Sequence, residues 1–195
     1  MKVKGLLVAA AAAMLCFGAN AQAKFISGDM GLNINMGFGQ FYADDFDWNT
    51  NGLNVDASQL SLGASFEYIF LEGLINGKAS IGGGAQAGFG FGHYDYEVVG
   101  SKEKVNYTRI RIATRGVFHY AALSELDTYG GVTIGIDMNK ASSKDGDTKI
   151  SHSHNKPGVY PFVGARYFLA DGVGVNVEMA YDRFAYLSAG ITMKF

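Results

Sequence analysis

The chain of 195 residues holds a single cysteine and only two prolines. That cysteine, Cys16, lies inside the first apolar run, so the rest of the chain can form no disulfide and must be stabilised by other means. Beyond that run no stretch of 18 consecutive apolar residues occurs, which excludes helices that span a membrane. Charge is sparse at 17% and nearly balanced, 16 basic against 18 acidic residues, and no basic cluster points to nucleic acid. What the chain has in excess is glycine, 27 residues, together with 14 Phe and 11 Tyr. Glycine and aromatics without long apolar runs point to strands and turns.

The front of the chain reads as a secretory signal peptide in three parts: "MKVK" with two lysines, the uncharged run Gly5 to Gly18, and the small residues "ANAQA". The apolar run is shorter than the about 20 residues a spanning helix needs. Cleavage after Ala21 or after Ala23 fits, and Ala23 is preferred. Leu15 before Cys16 is too large for a lipoprotein site. The organisation expected is therefore a signal peptide over 1–23 and one domain over 24–195, carrying 14 basic and 18 acidic residues.

Successive side chains of a strand point to opposite faces, so a period of two is the mark to look for. It occurs eight times. "LNINMGFG" sets Leu32, Ile34, Met36 and Phe38 against Asn33, Asn35, Gly37 and Gly39. The same alternation runs through Leu60 to Phe70, Ala79 to Phe91, Ile110 to Ala122, Val132 to Met138, Val159 to Leu169 and Val173 to Tyr181, and ends in the C-terminal "YLSAGITMKF". Phe162 and Phe168 blur the sixth segment. The segments after strands one, three and five are long and polar, those after two, four and six short. This is the loop arrangement of a barrel that crosses an outer membrane.

A soluble barrel would turn the polar set outward, but that set is mostly Gly, Ser, Thr and Asn, too poor in charge for a water-facing surface. The apolar set therefore faces lipid and the polar set fills the interior. Eight strands close around a space just wide enough for side chains. On the inward face fall Glu67, Arg109, Arg111, Arg115, His119, Asp137, Arg166, Glu178, Asp182 and Lys194, and buried cations need acids close by. An internal salt-bridge network that plugs the lumen is expected, with Arg109 and Arg111 opposite Gly88, Gly90 or Gly92, where absent side chains leave room. Aromatics near strand ends, among them Phe25, Tyr107, Tyr129, Tyr160, Tyr167 and Tyr181, are expected to form girdles at the lipid boundary.

The tail carries Leu187, Ala189, Ile191, Met193 and Phe195 at alternate positions. With the signal peptide and the eight segments before it, this ending resembles the C-terminal insertion signal of small gram-negative outer-membrane β-barrels, the porin-like family of OmpA/OmpX-type eight-stranded barrels. The resemblance implies an all-β, eight-stranded, antiparallel up-and-down transmembrane β-barrel in the cell outer membrane. It also implies contact with lipid and lipopolysaccharide, and a last strand recognised by the barrel-insertion machinery. No OmpA-type wall-binding segment follows Phe195, so a wall anchor within this chain is not expected.

Chemistry finds little support. Barrels of the lipid A deacylase type carry a His-x-Ser-Asn arrangement on a strand, whereas "HSHN", His152 to Asn155, has the letters in another order and falls in a loop. His152 and His154 with Asp145 and Asp147 are an incomplete ligand set. Asp44, Asp45, Asp47 and Asp56 read as a solvated acidic tip. Gly88, Gly90 and Gly92 are followed by no helix and make no nucleotide loop. The reading is a monomeric barrel that is not an enzyme, with no catalytic, metal or cofactor residue, serving envelope integrity, adhesion or capture of an extracellular ligand by its loops. The alternative is a narrow passive channel.

Overall fold

The computed structural model describes residues 23–42, 56–98, 101–121, 123–145 and 148–195. Most of the proposed signal peptide, 1–22, together with Asp44, Asp45, Asp47 and Asp147, lies outside the described residues.

Eight strands follow one another: β1 Met30–Tyr42, β2 Asp56–Gly73, β3 Ala79–Val98, β4 Ser101–Ala121, β5 Leu126–Asp145, β6 Thr148–Ala170, β7 Val173–Ala180 and β8 Leu187–Lys194. Each pairs antiparallel with its sequence neighbour, and β8 returns to pair with β1, so the sheet closes on itself. Following the register once around, Tyr129 leads through Gly164, Glu178, Ser188, Gly37, Ser61, Gly90 and Arg109 back to β5 at Asn139, ten residues further along. A stagger of ten over eight strands tilts them by about 40° and leaves an interior that side chains can fill.

The alternation decides which side is which. Ile34, Met36 and Phe38 on β1, Ile110, Ile112 and Phe118 on β4, and Val132, Ile134 and Ile136 on β5 all point out and are exposed. Asn33, Glu67, Arg109, Arg111, Arg115, His119, Asp137, Arg166 and Glu178 point in and are buried. A charged, hydrogen-bonded interior inside an apolar belt is a barrel made for lipid, where closure leaves no unpaired strand edge within the hydrocarbon. The fold is an all-β, antiparallel, up-and-down transmembrane β-barrel.

Three expectations change. The segment between the fifth and sixth strands is no loop: β5 and β6 stay paired as far as Asp145 opposite Thr148, so "HSHN" stands on a strand, with His152 opposite Ala141 and His154 opposite Asn139. Phe162 and Phe168 do not blur β6; they share the parity of Arg166 and are buried inside. Phe25, Tyr107 and Tyr129 are buried in the interior rather than set in a lipid-facing girdle, and Tyr160 turns its ring to Arg111. Tyr68, Phe70, Tyr167 and Tyr181 remain on the outside.

The ladder also explains where the prolines go. β7 reaches β6 only from Phe162 downward, so among the described residues no strand pairs with β6 above Pro161 on its β7 side. The Pro161 carbonyl faces that side, accepting a hydrogen bond from Tyr181 N at 2.9 Å. Pro157 has the same parity, and a strand residue's nitrogen and carbonyl point the same way. Both missing N–H groups therefore fall on an edge with no ladder to break, where proline is tolerated.

Candidate functional site

The lumen is built from β4 outward, because Arg109, Arg111, Arg115 and His119 alternate down its inner face. Register supplies their nearest partners. Arg109 lies opposite Asn139 on β5 and donates from Nε to its Oδ1 at 2.5 Å. Arg111 lies opposite Asp137 and grips it with two parallel bonds, Nε to Oδ1 at 2.6 Å and Nη2 to Oδ2 at 2.7 Å. Its Nη1 reaches Asp182 at 2.5 Å. Bidentate charge-assisted pairs of this kind combine energy with fixed geometry.

Further down, Arg115 crosses the lumen to Glu178 on β7, with Nη2 to Oε2 at 2.7 Å, and lays its guanidinium over the Phe162 ring at 4.0 Å. At the turn end Arg166 pairs with Glu67 and approaches Asp127, its register partner, at 3.4 Å. His119 Nδ1 stands 2.9 Å from the Asp127 carboxylate, and Nε2 lies 3.8 Å from Glu67. Buried charges this close need one another, since removing one partner leaves the other uncompensated.

Lys194 meets the turn-end tier through the Phe25 ring, whose centre lies 5.4 Å from its Nζ. It stands at the turn-end rim, where Nζ donates to the Lys24 carbonyl at 2.9 Å and lies 3.7 Å from Asp29. The outward positions Leu187, Ala189 and Ile191 line the exterior of β8. Phe195 continues the ladder past its end: its N–H donates to Met30 O at 2.9 Å and its carbonyl accepts from Met30 N at 3.1 Å.

Among the described residues two segments outside the strands enter the barrel, and periodicity gave no sign of either. At the turn end, Ala23 and Phe25 are buried with Ile69 and Phe168. The Phe25 ring lies 4.8 Å from His119, with the Arg166 guanidinium 5.3 Å from its centre. At the loop end, the connection between β7 and β8 folds inward. Phe184 is buried, its carbonyl accepts from Gln59 Nε2 at 2.9 Å, and its ring lies 4.8 Å from the Arg111 guanidinium. Asp182 Oδ1 accepts from Ala185 N at 2.7 Å, which holds the turn while Oδ2 takes Arg111.

Arg111 does lie opposite Gly88 and Arg109 opposite Gly90. The room those glycines leave is used by other groups. A Cβ at Gly88 would overlap the Phe184 ring, one at Gly90 the Gln59 side chain, and one at Gly92 the Tyr107 phenol. Glycine on β3 thus makes space for groups reaching over from β2, β4 and the β7–β8 connection.

Above Phe184 the barrel opens into a cavity of about 590 Å³. Arg109, Asp137, Asn139, Lys156 and Tyr160 form one wall, and Asp182, Arg183 and Tyr186 form the other. Below it, the space among Ser61, Gln86, Thr133, Glu178 and Phe184 measures only about 20 Å³. Among the described residues no group of three or more His, Cys, Asp or Glu side chains could hold a metal ion.

No family model matches the chain, and no curated protein does. Among solved structures, it is similar to Ail, the attachment invasion locus protein of Yersinia pestis, in complex with the heparin analogue sucrose octasulfate. The identity is 12%, over 87% of this chain and 100% of that one, with a TM-score of 0.48. It is also similar to Neisserial surface protein A, with 14% identity over 87% of this chain and 98% of that one and a TM-score of 0.45. The barrel assignment rests on register and side-chain direction rather than on these likenesses.

Proposed function

We propose that the chain is an outer-membrane protein of the surface-interaction kind, with its lumen closed to solute flow and its work done at the loop-side mouth. The observation that carries this reading is the contrast between two levels of one interior: about 590 Å³ above Phe184 and about 20 Å³ directly beneath it, among Ser61, Gln86, Thr133 and Glu178. A continuous path would have to cross Arg111 with its two acids, Arg115 with Glu178, and then the cluster of Arg166, Glu67, Asp127, His119 and Phe25. Each tier is a paired set of buried charges, and separating such pairs is expensive.

In this reading the signal peptide over 1–23 directs export, the turn end and both termini lie in the periplasm, and the apolar belt contacts lipid and lipopolysaccharide. The alternate residues Leu187 to Phe195 serve the barrel-insertion machinery, and the mouth captures an extracellular ligand. The barrel works as a monomer and carries out no catalysis. Planar-bilayer recording on the refolded protein tests the closed lumen: a silent bilayer is expected, and discrete, reproducible conductance steps would replace this reading with the passive channel.

A further inference from the structure

We infer that the turn joining β2 to β3 is a lipid anchor: Phe70, Leu71 and Ile75 enter the periplasmic leaflet of the bilayer, and Lys78 meets its phosphates. This extends the outer-membrane reading and rests on it, with the turn end facing the periplasm. Two local features, each unfavourable by itself, bring apolar side chains to this rim. The first is a β-bulge. The β2–β3 register shifts between Ile69 and Leu71, with Phe70 as the extra residue. Ile69 is buried inside, whereas Phe70 and Leu71 are both exposed. A regular strand would have turned Leu71 inward, and the bulge re-aims it to the outer face, opposite Ile81. The second feature is strain. Ile75, in the turn Leu74–Gly77, has φ 46° and ψ 65°, in the left-handed region. Side chains branched at Cβ are outliers there, and elsewhere at this rim positive φ falls on Gly28, Gly73, Gly77 and Gly172, or on Asn76. Ile75 is 58% exposed, so packing within the chain covers less than half of it. A strained apolar residue held out at a turn tip points to a contact outside the molecule.

Continuity with the apolar belt decides what that contact is. Leu62, Phe66, Tyr68 and Phe70 carry the belt down the outer face of β2, and Leu71 and Ile75 continue it past the bulge. The stretch from Leu60 to Phe70 rises roughly 25 Å at the tilt of these strands, the height of a whole belt, so the turn beyond it lies at headgroup depth. Glu72, the acid of this stretch, is engaged elsewhere: its Oε2 accepts from Ser27 N at 3.1 Å. The segment holding Ser27 runs beside the end of β2, with Gly28 N donating to Ile69 O and Ile69 N to Asp29 O, both at 3.0 Å, and it adds Ile26 as a further exposed apolar side chain. Lys78 follows the turn and is exposed. At headgroup depth a lysine lays its stem along apolar surface and its ammonium among phosphates. On the other side of the ring the β6–β7 turn, Asp171 and Gly172, offers no apolar side chain.

The test uses the full mature barrel, which holds no cysteine of its own, refolded into vesicles of phosphatidylethanolamine and phosphatidylglycerol. A nitrobenzoxadiazole label is placed in turn on Ile75→Cys at the anchor, Ile134→Cys in the belt and Asp171→Cys at the polar turn. Expected is quenching by a lipid with a nitroxide near its headgroup at least three-fold stronger at Ile75 than at Asp171, and quenching by aqueous iodide in the reverse order. Equal behaviour at the two turns would overturn the anchor. A label at Ile75 open to iodide in these protein-free vesicles but shielded in cell envelopes would give the turn to a protein partner, and overturn it as well. Adding Lys78→Glu should lower the lipid quenching at Ile75 at least two-fold, and indifference would overturn the phosphate contact. Ile75→Asn supplies an independent readout, because asparagine suits the left-handed backbone. Its urea midpoint in vesicles should fall below that of the wild type, since a polar group then replaces an immersed one. A midpoint unchanged or raised by relief of strain would place Ile75 in water. Ile134 keeps the two ideas apart: no lipid quenching there defeats the membrane reading itself, whereas quenching at Ile134 without quenching at Ile75 defeats only the anchor.

Discussion

Arg111 and Asp137 face each other as register partners on β4 and β5 and are joined by two parallel hydrogen bonds of 2.6 and 2.7 Å. The pair stands at the boundary between the roomy mouth and the filled lumen. The same guanidinium draws Asp182 inward at 2.5 Å, and with it the turn that places Phe184 over the opening. One side chain thus couples the charge balance of the interior to the shape of the surface site.

Replacing Glu178 with Gln should destabilise the barrel more than replacing Asp137 with Asn. Arg115 has Glu178 as its acid, with contacts at 2.7 and 3.5 Å. Arg111 would keep Asp182 after the loss of Asp137. Removing one partner of a buried pair costs roughly 3–5 kcal/mol, so Glu178→Gln is expected near that range and Asp137→Asn below it. Urea unfolding in detergent, followed by loss of the heat-modifiable band, measures both. Equal midpoints for the wild type and Glu178→Gln would remove the ion pair from the account of stability.

The turn-end plug gives a second expectation. Phe25 is 2% exposed and packs on Ile69 and Phe168 beside His119 and Arg166. Phe25→Ala should lower stability by about 3 kcal/mol, the lower end for a buried phenylalanine. It should also speed amide hydrogen exchange at Ile26, Gly28 and Asp29, whose N–H groups are bonded in the segment before β1. A variant as stable and as slowly exchanging as the wild type would mean that this segment lies over the barrel without holding it.

The strands were legible because the period of two is imposed by the pleat and persists wherever one face meets lipid and the other a crowded interior. The direction of the Arg109, Arg111 and Arg115 side chains followed from parity alone. Phe25 and Phe184 were not legible, since a non-strand segment that folds back into a barrel carries no periodicity. The aromatic girdle has a different explanation: residue type suits Tyr107 and Tyr129 to the lipid boundary, whereas parity along β4 and β5, shared with Arg109 and Thr133, puts both inside. The polar hairpin of β5 and β6 was hidden because, beyond the lipid, neither face is apolar and alternation loses its contrast.

The ladder that closes the ring continues into the last residue. Phe195 exchanges two backbone hydrogen bonds with Met30, at 2.9 and 3.1 Å, extending the β1–β8 ladder to the end of the chain. Deleting Phe195 removes both bonds and the ring of the proposed insertion signal. The heat-modifiable, membrane-assembled fraction in cells should fall several-fold, while the protein refolded in detergent should lose only about 1–3 kcal/mol, the net worth of two hydrogen bonds. Equal losses in cells and in detergent would assign Phe195 to barrel stability rather than to recognition by the insertion machinery.

The open edge of β6 yields the last expectation. Among the described residues no strand pairs with β6 above Pro161 on its β7 side, and a strand edge of this kind is a template on which a second strand can add. Pro157 and Pro161 withhold N–H groups from that edge at two positions of the same parity, which interrupts any incoming ladder. Pro157→Thr restores one donor and a residue with good strand propensity, at an exposed position where no packed neighbour is disturbed. Barrel stability should stay within about 0.5 kcal/mol of the wild type. The change should appear in association: concentration-dependent dimers, detected by crosslinking and by sedimentation in detergent, that the wild type does not form at the same concentration. If Pro157→Thr stays monomeric, the remaining protection lies in Pro161 and in the charges nearby, and the double substitution with Pro161→Thr should then form dimers. A monomeric double variant would show that proline does not guard this edge.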